Sequence, residues 1–161
     1  MKQRDYLIVY HGNRNVVKYP EICIKKYYQD FYSGFYCLRS EESAVRWAKR
    51  YGKIGYVSIY QYAPLDSLQI KTFSAMTDEW LEFITSCRQG QSHGYDIVEG
   101  PMVDDTIFNF VQDIITGNIS REAFWALVKT KNPIHQISFH TTCALETLKF
   151  VGGKEVAAYE E

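Results

Sequence analysis

The chain has 161 residues, of which 46% are hydrophobic and 23% are charged. This length is typical of one folded domain with a sizeable core, so we predict a single domain over residues 1–161. The formal net charge of −1 provides no broad basic surface. It therefore argues against a protein that binds nucleic acid or an anionic membrane through charge alone.

Hydrophobic periodicity and capping residues predict a mixture of strands and helices in the following chain order. Strands are predicted at 6–10, 34–38, 55–62, 68–72, 95–100 and 134–139, the last of these being the final strand of the chain. Helices are predicted to begin at Ser40, Thr77, Ile107 and Ser120, with a short helix at 144–148. Residues 11–33 read as a long loop. Because strands and helices do not alternate strictly, we predict the α+β class.

The four cysteines are widely spaced and form no C-x-x-C pair: Cys23, Cys37, Cys87 and Cys143. This spacing fits neither a zinc site nor a disulfide framework. No N-terminal signal peptide is visible, and no apolar segment approaches the roughly 20 residues needed to span a bilayer. We therefore expect a cytoplasmic protein with reduced thiols, no metal and no membrane partner.

Three short motifs contain the residues that best suit ligand binding: Tyr10-His11-Gly12, Gly34-Phe35-Tyr36 and Gln136-Ile137-Ser138-Phe139. A glycine at the end of a strand lets a ligand approach the backbone closely. Aromatic residues are 16% of the chain, and most of them are expected in a β-rich core. The residues alone thus leave open whether His11 and Tyr36 are core side chains or ligand contacts.

In their order and spacing, these motifs resemble a bacterial family of the ADP-ribosyltransferase-like superfamily. Segments 44–48, 95–101 and 144–150 also match that family. The resemblance implies a split β-sheet with flanking helices around a cleft that holds NAD as a substrate. In the histidine-tyrosine-glutamate branch of the superfamily, His11 would bond the adenosine-side ribose, the Gly12 backbone would hold the nicotinamide amide, and Tyr36 would stack on the nicotinamide ring. Arg14 and Arg39 lie near the first two motifs and are candidates to meet the pyrophosphate, since guanidinium pairs well with phosphate oxygens. The alternative, which we favour for both, is that they are exposed to solvent.

The third motif departs from the pattern of active enzymes in that branch. They place a glutamate where this chain has Gln136, which can accept the same hydrogen bond but carries no charge. Asp104 and Asp105 are candidate substitute carboxylates, although aspartates that begin a helix also act as caps. Three hypotheses stay open: a weaker or different transfer reaction, a carboxylate supplied from elsewhere, or a fold that binds without reacting.

The resemblance implies transfer of ADP-ribose from NAD to a macromolecular acceptor, either protein or nucleic acid. Small members of the superfamily often act as toxins or in phage defence, which would imply an antitoxin-type partner. The alternative is an inactive module that binds NAD, ADP-ribose or another protein. A third hypothesis, a metal-dependent hydrolase built on Asp96, Glu99, Asp104 and Asp105, is weaker because Asp-x-x-Glu is too common to be a signature.

Overall fold

The fold is a mixed sheet with helices packed against it. The computed structural model describes residues 6–23, 30–102, 105–129 and 133–157, with residues 51, 102 and 105–108 described by their backbone only. The strands are β1 (Leu7–Asn13), β2 (Phe35–Leu38), β3 (Ile54–Tyr62), β4 (Ile70–Thr72), β5 (Ile97–Met102), β6 (Ile134–Phe139) and β7 (Leu148–Ala157). The helices are α1 (Glu41–Ala48), α2 (Asp78–Arg88), α3 (Asp105–Ile115), α4 (Arg121–Val128) and α5 (Thr142–Leu145), and a 3-10 turn at Lys49–Tyr51 follows α1.

The seven strands form one sheet in the order β4-β5-β6-β2-β1-β3-β7. Strands β4 and β5 are parallel, and the other neighbouring pairs are antiparallel. This mixture confirms the predicted α+β class. Strand β1 pairs with β3 at seven positions but registers with β2 at one, Tyr10 opposite Leu38. The junction between β1 and β2 is therefore the narrowest link within the described sheet.

The prediction that residues 134–139 form the final strand is wrong, because β7 follows at Leu148–Ala157. Lys149, Lys154 and Glu155 make this edge strand polar, and Gly152-Gly153 interrupts its hydrophobic pattern. It forms because it pairs with β3 along that strand's whole length, past an irregularity in register beside Ile59. Long-range pairing of this kind overrides a weak local strand signal.

The strand boundaries differ from the prediction in two places that matter for the site. Strand β1 continues through His11 and Gly12 to Asn13, since β3 pairs with all of these residues. The predicted loop thus begins after Asn13. Strand β5 continues through Pro101, which pairs with His135 of β6. On its other side β4 registers only as far as Glu99, so the missing N–H of proline breaks no ladder there.

Three of the predicted helix starts are confirmed by their caps. Helix α3 begins at Asp105 rather than at Ile107, and the short helix predicted at 144–148 lies at Thr142–Leu145. The backbone is extended at Ser40, Thr77 and Ser120. The side-chain oxygen of each cap accepts a hydrogen bond from the backbone N–H three residues further along the chain. Thr141 caps α5 in the same way. Such caps satisfy backbone N–H groups that have no partner inside the helix. The three confirmed helix starts could therefore be predicted from local sequence.

Side chains on the sheet alternate between two faces. Directly paired residues share a face, so the register places Tyr10, Tyr36, Leu38, Gln136 and Ser138 together on one of them. We call this the helix-covered face. Its β1–β3 end packs on α1, and its β5 end packs on α2, α3 and α4 through a core that includes Trp80, Val98, Val111 and Phe124.

The opposite face carries a second core, which contains Val9, Phe35, Cys37, Ile137 and Phe139. Val17, Leu68 and Leu145 pack against it from loops and from α5. Both faces are therefore covered. Among the described residues, no helix is long and apolar enough to cross a bilayer.

Candidate functional site

The three sequence motifs meet because β6, β2 and β1 are consecutive neighbours in the sheet. Leu38 lies opposite Gln136, and Tyr36 lies opposite Ser138. Tyr36 and Gln136 therefore point to the helix-covered face, between the parts of it that α1 and α2–α4 occupy. The fold brings together residues that are 100 positions apart in the chain.

The Gln136 side chain is buried, with 4% of its surface exposed. Its Nε2 donates to Asp30 Oδ2 at 3.3 Å and lies 3.5 Å from the carbonyl oxygen of Pro101. Both of these neighbours are acceptors, so the nitrogen of the amide must point toward them. Gln136 thus has a fixed amide orientation that leaves its Oε1 turned the other way.

Asp30 joins Gln136 to α2 through an ion pair with Arg88. Arg88 donates from Nε at 3.1 Å and from Nη2 at 2.6 Å, both to Asp30 Oδ1. The pair is nearly enclosed, since the side chains of Arg88 and Asp30 are 6% and 11% exposed. We call Asp30, Arg88 and Gln136 the carboxylate triad. It places a carboxylate, paired with a guanidinium, beside the third motif.

The Tyr36 hydroxyl is bonded inside the protein. It donates to the carbonyl of Tyr32 at 2.5 Å and accepts from the backbone N–H of Phe31 at 3.0 Å. Burial raises the pKa of this phenol well above its usual value, and the negative charge of Asp30 raises it further. The hydroxyl therefore stays protonated and donates. It holds Tyr32, which adopts a positive φ of 75° that is unusual for a residue other than glycine.

Two histidines hold the same segment from the other side. His93 Nε2 and His140 Nδ1 each lie 2.8 Å from a backbone carbonyl, those of Phe31 and Ser33 respectively. A carbonyl only accepts, so each of these nitrogens carries its hydrogen. The second nitrogen of His140 lies 2.7 Å from Ser138 Oγ and accepts from it.

Both histidines are kept neutral by their surroundings. Burial lowers the pKa of His93 and lowers that of His140 to about 4, where the neighbouring His93 adds to the effect. The two rings lie 4.4 Å apart. Ser138 is fully buried, so its contact with His140 is not an accessible nucleophile–base pair. The histidines fix residues 31–33 in place.

His11 lies on the opposite face of the sheet from Tyr36 and Gln136. Its ring packs against Phe35 at 4.2 Å, but its Nδ1 lies 2.6 Å from the carbonyl oxygen of Tyr36. The imidazole therefore reaches across from β1 to β2 and donates to the backbone of the second motif. It contributes to the junction between the two strands rather than to the surface around Gln136.

Gly12 is required by helix packing. A Cβ atom at this position would lie 2.7 Å from the carbonyl oxygen of Ala44 and 2.9 Å from the backbone nitrogen of Ala48. These distances are shorter than real Cβ contacts allow, so α1 can approach β1 only over a glycine. The close backbone approach that the sequence suggested for a ligand is occupied here by a helix.

The remaining predicted residues are Asp104, Asp105, Arg14 and Arg39, and the structure describes them in part. Asp105 begins α3 with only its backbone described, and Asp104 lies outside the described residues. Arg14 and Arg39 are exposed.

Two acidic residues of the hydrolase hypothesis, Asp96 and Glu99, have separate hydrogen-bond partners. Asp96 accepts from the backbone N–H of Gln69 at 2.9 Å and from the Thr141 hydroxyl at 2.7 Å. Glu99 accepts from Thr72 at 3.1 Å and lies near His135, and these contacts lower its pKa, the His135 contact most. Within the described part of the chain, no three ligating side chains are grouped to hold a metal ion.

An open groove of about 330 Å³ runs beside α2. Phe83, Cys87, His93 and Tyr95 are among the residues that line it. His93, which bonds the Phe31 carbonyl, is part of this lining. Tyr36 and Gln136 are not part of it. The groove therefore borders the site without containing the predicted ligand contacts.

Comparison with known protein families assigns this chain to a family. Residues 7–150 match the family described as "Protein of unknown function (DUF3990)", and this range covers most of the 161 residues. The chain belongs to the DUF3990 family. No curated protein matches it. The matched range contains both the three motifs and the carboxylate triad.

In this DUF3990 member, sequence reasoning missed Asp30 and Arg88. Asp30 lies in the stretch that was predicted as loop, four residues before Gly34, and Arg88 lies in the last turn of α2. They are 58 positions apart, and no local pattern connects them. The sequence offered one indirect indication of Asp30. Because the third motif has glutamine in place of glutamate, a carboxylate supplied from elsewhere was one of the open hypotheses.

Proposed function

We propose that this protein binds NAD at the junction of β1, β2 and β6 and transfers ADP-ribose to a macromolecular acceptor. The observation that supports this most is the adjacency of the three motif strands. It brings Tyr36 and Gln136 to one face of the sheet, with a carboxylate 3.3 Å from Gln136. A stacking ring, a hydroxyl-binding amide and a negative charge are the groups that such a transfer requires.

The narrow junction between β1 and β2 is consistent with the split sheet of the ADP-ribosyltransferase-like fold. Strand β2 registers with β1 at Tyr10 opposite Leu38, and beyond this point His11 bridges the two strands through the Tyr36 carbonyl. A ligand that enters here would meet the backbone of the second motif. His11 would then exchange its bond to the carbonyl for a bond to a ribose hydroxyl.

The reaction can be tested directly with labelled NAD and cell lysate. We expect release of nicotinamide and labelling of a protein or nucleic acid in the lysate. The purified protein should also be stabilised by NAD, because a ligand that binds only the folded state raises its stability by about 2.7 kcal/mol at a hundredfold excess over Kd. If neither nicotinamide release nor a labelled product is detected at NAD concentrations that saturate binding, the proposed transferase activity is contradicted.

A matched pair of histidine variants tests where NAD binds. His11→Gln removes the ring at the β1–β2 junction, whereas His135→Gln changes a ring on β6 that lies 4.0 Å from Glu99. We expect His11→Gln to weaken NAD binding at least tenfold and His135→Gln to leave it within about threefold. Equal effects of the two variants would exclude this junction as the binding site.

A second candidate function is a module of the same fold that binds without reacting. The observation that favours it is that the Tyr36 hydroxyl and the Gln136 amide nitrogen are both bonded within the protein. Stabilisation by NAD or ADP-ribose without nicotinamide release would support a reader of these ligands. Stabilisation by neither would support a module that binds a protein partner, for example one of antitoxin type.

A further inference from the structure

The carboxylate that active members of the histidine-tyrosine-glutamate branch carry on the third motif is absent from β6, where Gln136 stands. The structure has a carboxylate at this point nevertheless. Asp30 Oδ2 lies 3.3 Å from Gln136 Nε2, and the residue belongs to the segment that leads into β2. The carboxylate thus lies one hydrogen bond away from Gln136, which occupies the position where the resemblance implies a glutamate.

Asp30 is held through both of its carboxylate oxygens. Arg88 binds one of its oxygens through two nitrogens, and Gln136 binds the other. The backbone that follows Asp30 is held by Tyr36, His93 and His140. A charge that is fixed before the substrate binds stabilises a developing opposite charge without the cost of reorganisation.

The identity of residue 136 is explained by the same geometry. A glutamate there would place a second carboxylate about as close to Asp30 as the amide nitrogen is now, and two carboxylates at such a distance do not both ionise readily. Glutamine instead donates to Asp30 and keeps its Oε1 as an acceptor. Asp30 and Gln136 therefore divide between them the two tasks of one glutamate.

We propose that Asp30 is the carboxylate of this site, and that Gln136 and Arg88 position it. This inference rests on the proposed function. In the transfer, the bond between ribose C1′ and the nicotinamide nitrogen breaks, and its electron pair leaves with neutral nicotinamide. The acceptor's lone pair then forms a new bond to C1′, and the acceptor's proton passes to solvent. Asp30 stabilises the positive charge on the ribose between these two events, while Gln136 Oε1 accepts from a ribose hydroxyl.

A charge exchange between the two residues tests this assignment. The single variant Asp30→Asn removes the negative charge of the carboxylate. The double variant, Asp30→Asn with Gln136→Glu, restores a carboxylate at position 136. In the double variant the new amide nitrogen at position 30 can donate to the new carboxylate at position 136, and the amide oxygen at position 30 can still accept from Arg88. The net charge is then that of the wild type, although the Pro101 carbonyl loses the donor that Gln136 supplies. Thermal unfolding of the double variant therefore shows whether it folds.

The measurements are nicotinamide release, NAD affinity by calorimetry, and thermal unfolding. We expect Asp30→Asn to keep the NAD affinity within about threefold and to lower kcat by on the order of 10²–10³. The double variant should recover at least tenfold of this loss. Asp30→Glu, which keeps the charge at position 30, should also turn over faster than Asp30→Asn.

The outcomes separate this inference from the proposed function. If the wild type cleaves NAD and Asp30→Asn cleaves it within threefold as fast, Asp30 is not the carboxylate and the function stands. The same follows if the double variant folds but is no faster than Asp30→Asn. If the saturated wild type releases no nicotinamide, the proposed transfer and the role of Asp30 in it are both excluded.

Discussion

The side-chain amide of Gln136 donates to the carboxylate of Asp30 across 3.3 Å, although the two residues lie 106 positions apart in the chain. Arg88 completes this contact from α2. The triad links three parts of the fold: the segment before β2, helix α2 and strand β6. Its contribution to stability and the role in catalysis that we propose for it can be measured separately.

Loss of Arg88 should destabilise the protein far more than loss of an exposed arginine. Arg88→Met leaves the Asp30 carboxylate buried without its cation, which typically costs about 3–5 kcal/mol. Arg121→Met is the control, because Arg121 pairs with Asp78 and Glu82 at an exposed surface, where such pairs contribute about 0–1 kcal/mol. The free energy of unfolding in urea at pH 7 measures both. A difference below about 1 kcal/mol between the variants would show that the buried pair contributes little.

Stability should fall as the pH drops from 7 to 4 because of His140. Its pKa is about 4 in the folded protein, against an ordinary value of 6.5. Between these values the unfolded chain binds more protons than the folded one, so folding is favoured above pH 6.5 and loses this contribution toward pH 4. The loss amounts to about 3 kcal/mol for this residue, and His93 adds a loss in the same direction.

His140→Gln provides the test of that pH dependence. The variant loses the hydrogen bonds of the ring at every pH, so its stability at pH 8 sets the baseline. From this baseline we expect a smaller fall toward pH 4 than in the wild type, measured by urea unfolding at each pH. A fall as large as that of the wild type would mean that other groups carry the acid sensitivity.

Gly12→Ala should destabilise the protein by about 1–3 kcal/mol, which is typical of overpacking. The new methyl group would press on the backbone of Ala44 and Ala48 in α1. Gly152→Ala is the matched control on β7, where a Cβ would have no neighbour within 4 Å. Thermal unfolding of the two variants should differ clearly. A Gly12→Ala variant as stable as Gly152→Ala would show that α1 does not require this glycine.

Two of the four thiols should react with a thiol reagent in the folded protein. Cys23 and Cys143 are exposed, whereas Cys37 and Cys87 are buried. Burial raises the pKa of Cys87 to about 12, and the negative charge of Asp30 adds to this effect, so little thiolate forms there. We expect two rapid equivalents at pH 8 and four in denaturant. A third rapid equivalent would show that a buried cysteine becomes accessible by local opening.

The local elements of this protein follow from short stretches of sequence. Ser40, Thr77 and Ser120 mark helix starts because each cap needs only its own side chain and a backbone N–H three residues on. The central strands are apolar and β-branched or aromatic, and they form close to where they were predicted. The α+β class follows from their order along the chain.

The sheet edge and the carboxylate triad depend on contacts between distant residues. Strand β7 has a weak pattern of its own and forms because β3 pairs with it from Ile54 to Tyr62. The pairing of Tyr10 with Leu38 fixes the face of the sheet on which His11 lies. The local sequence of β1 does not specify this pairing. The meeting of Asp30, Arg88 and Gln136 likewise requires the whole fold.

The sequence by itself determined three capped helix starts, the central strands and the three motifs, because each of these is encoded within a few consecutive residues. Only the tertiary structure decided which motif residues share a face and which carboxylate accompanies Gln136. The physical reason is that hydrogen bonds and ion pairs between strands and helices act over a few ångströms in space, whatever the separation along the chain. Asp30 therefore lies beside Gln136 in the fold although it is far from it in the sequence.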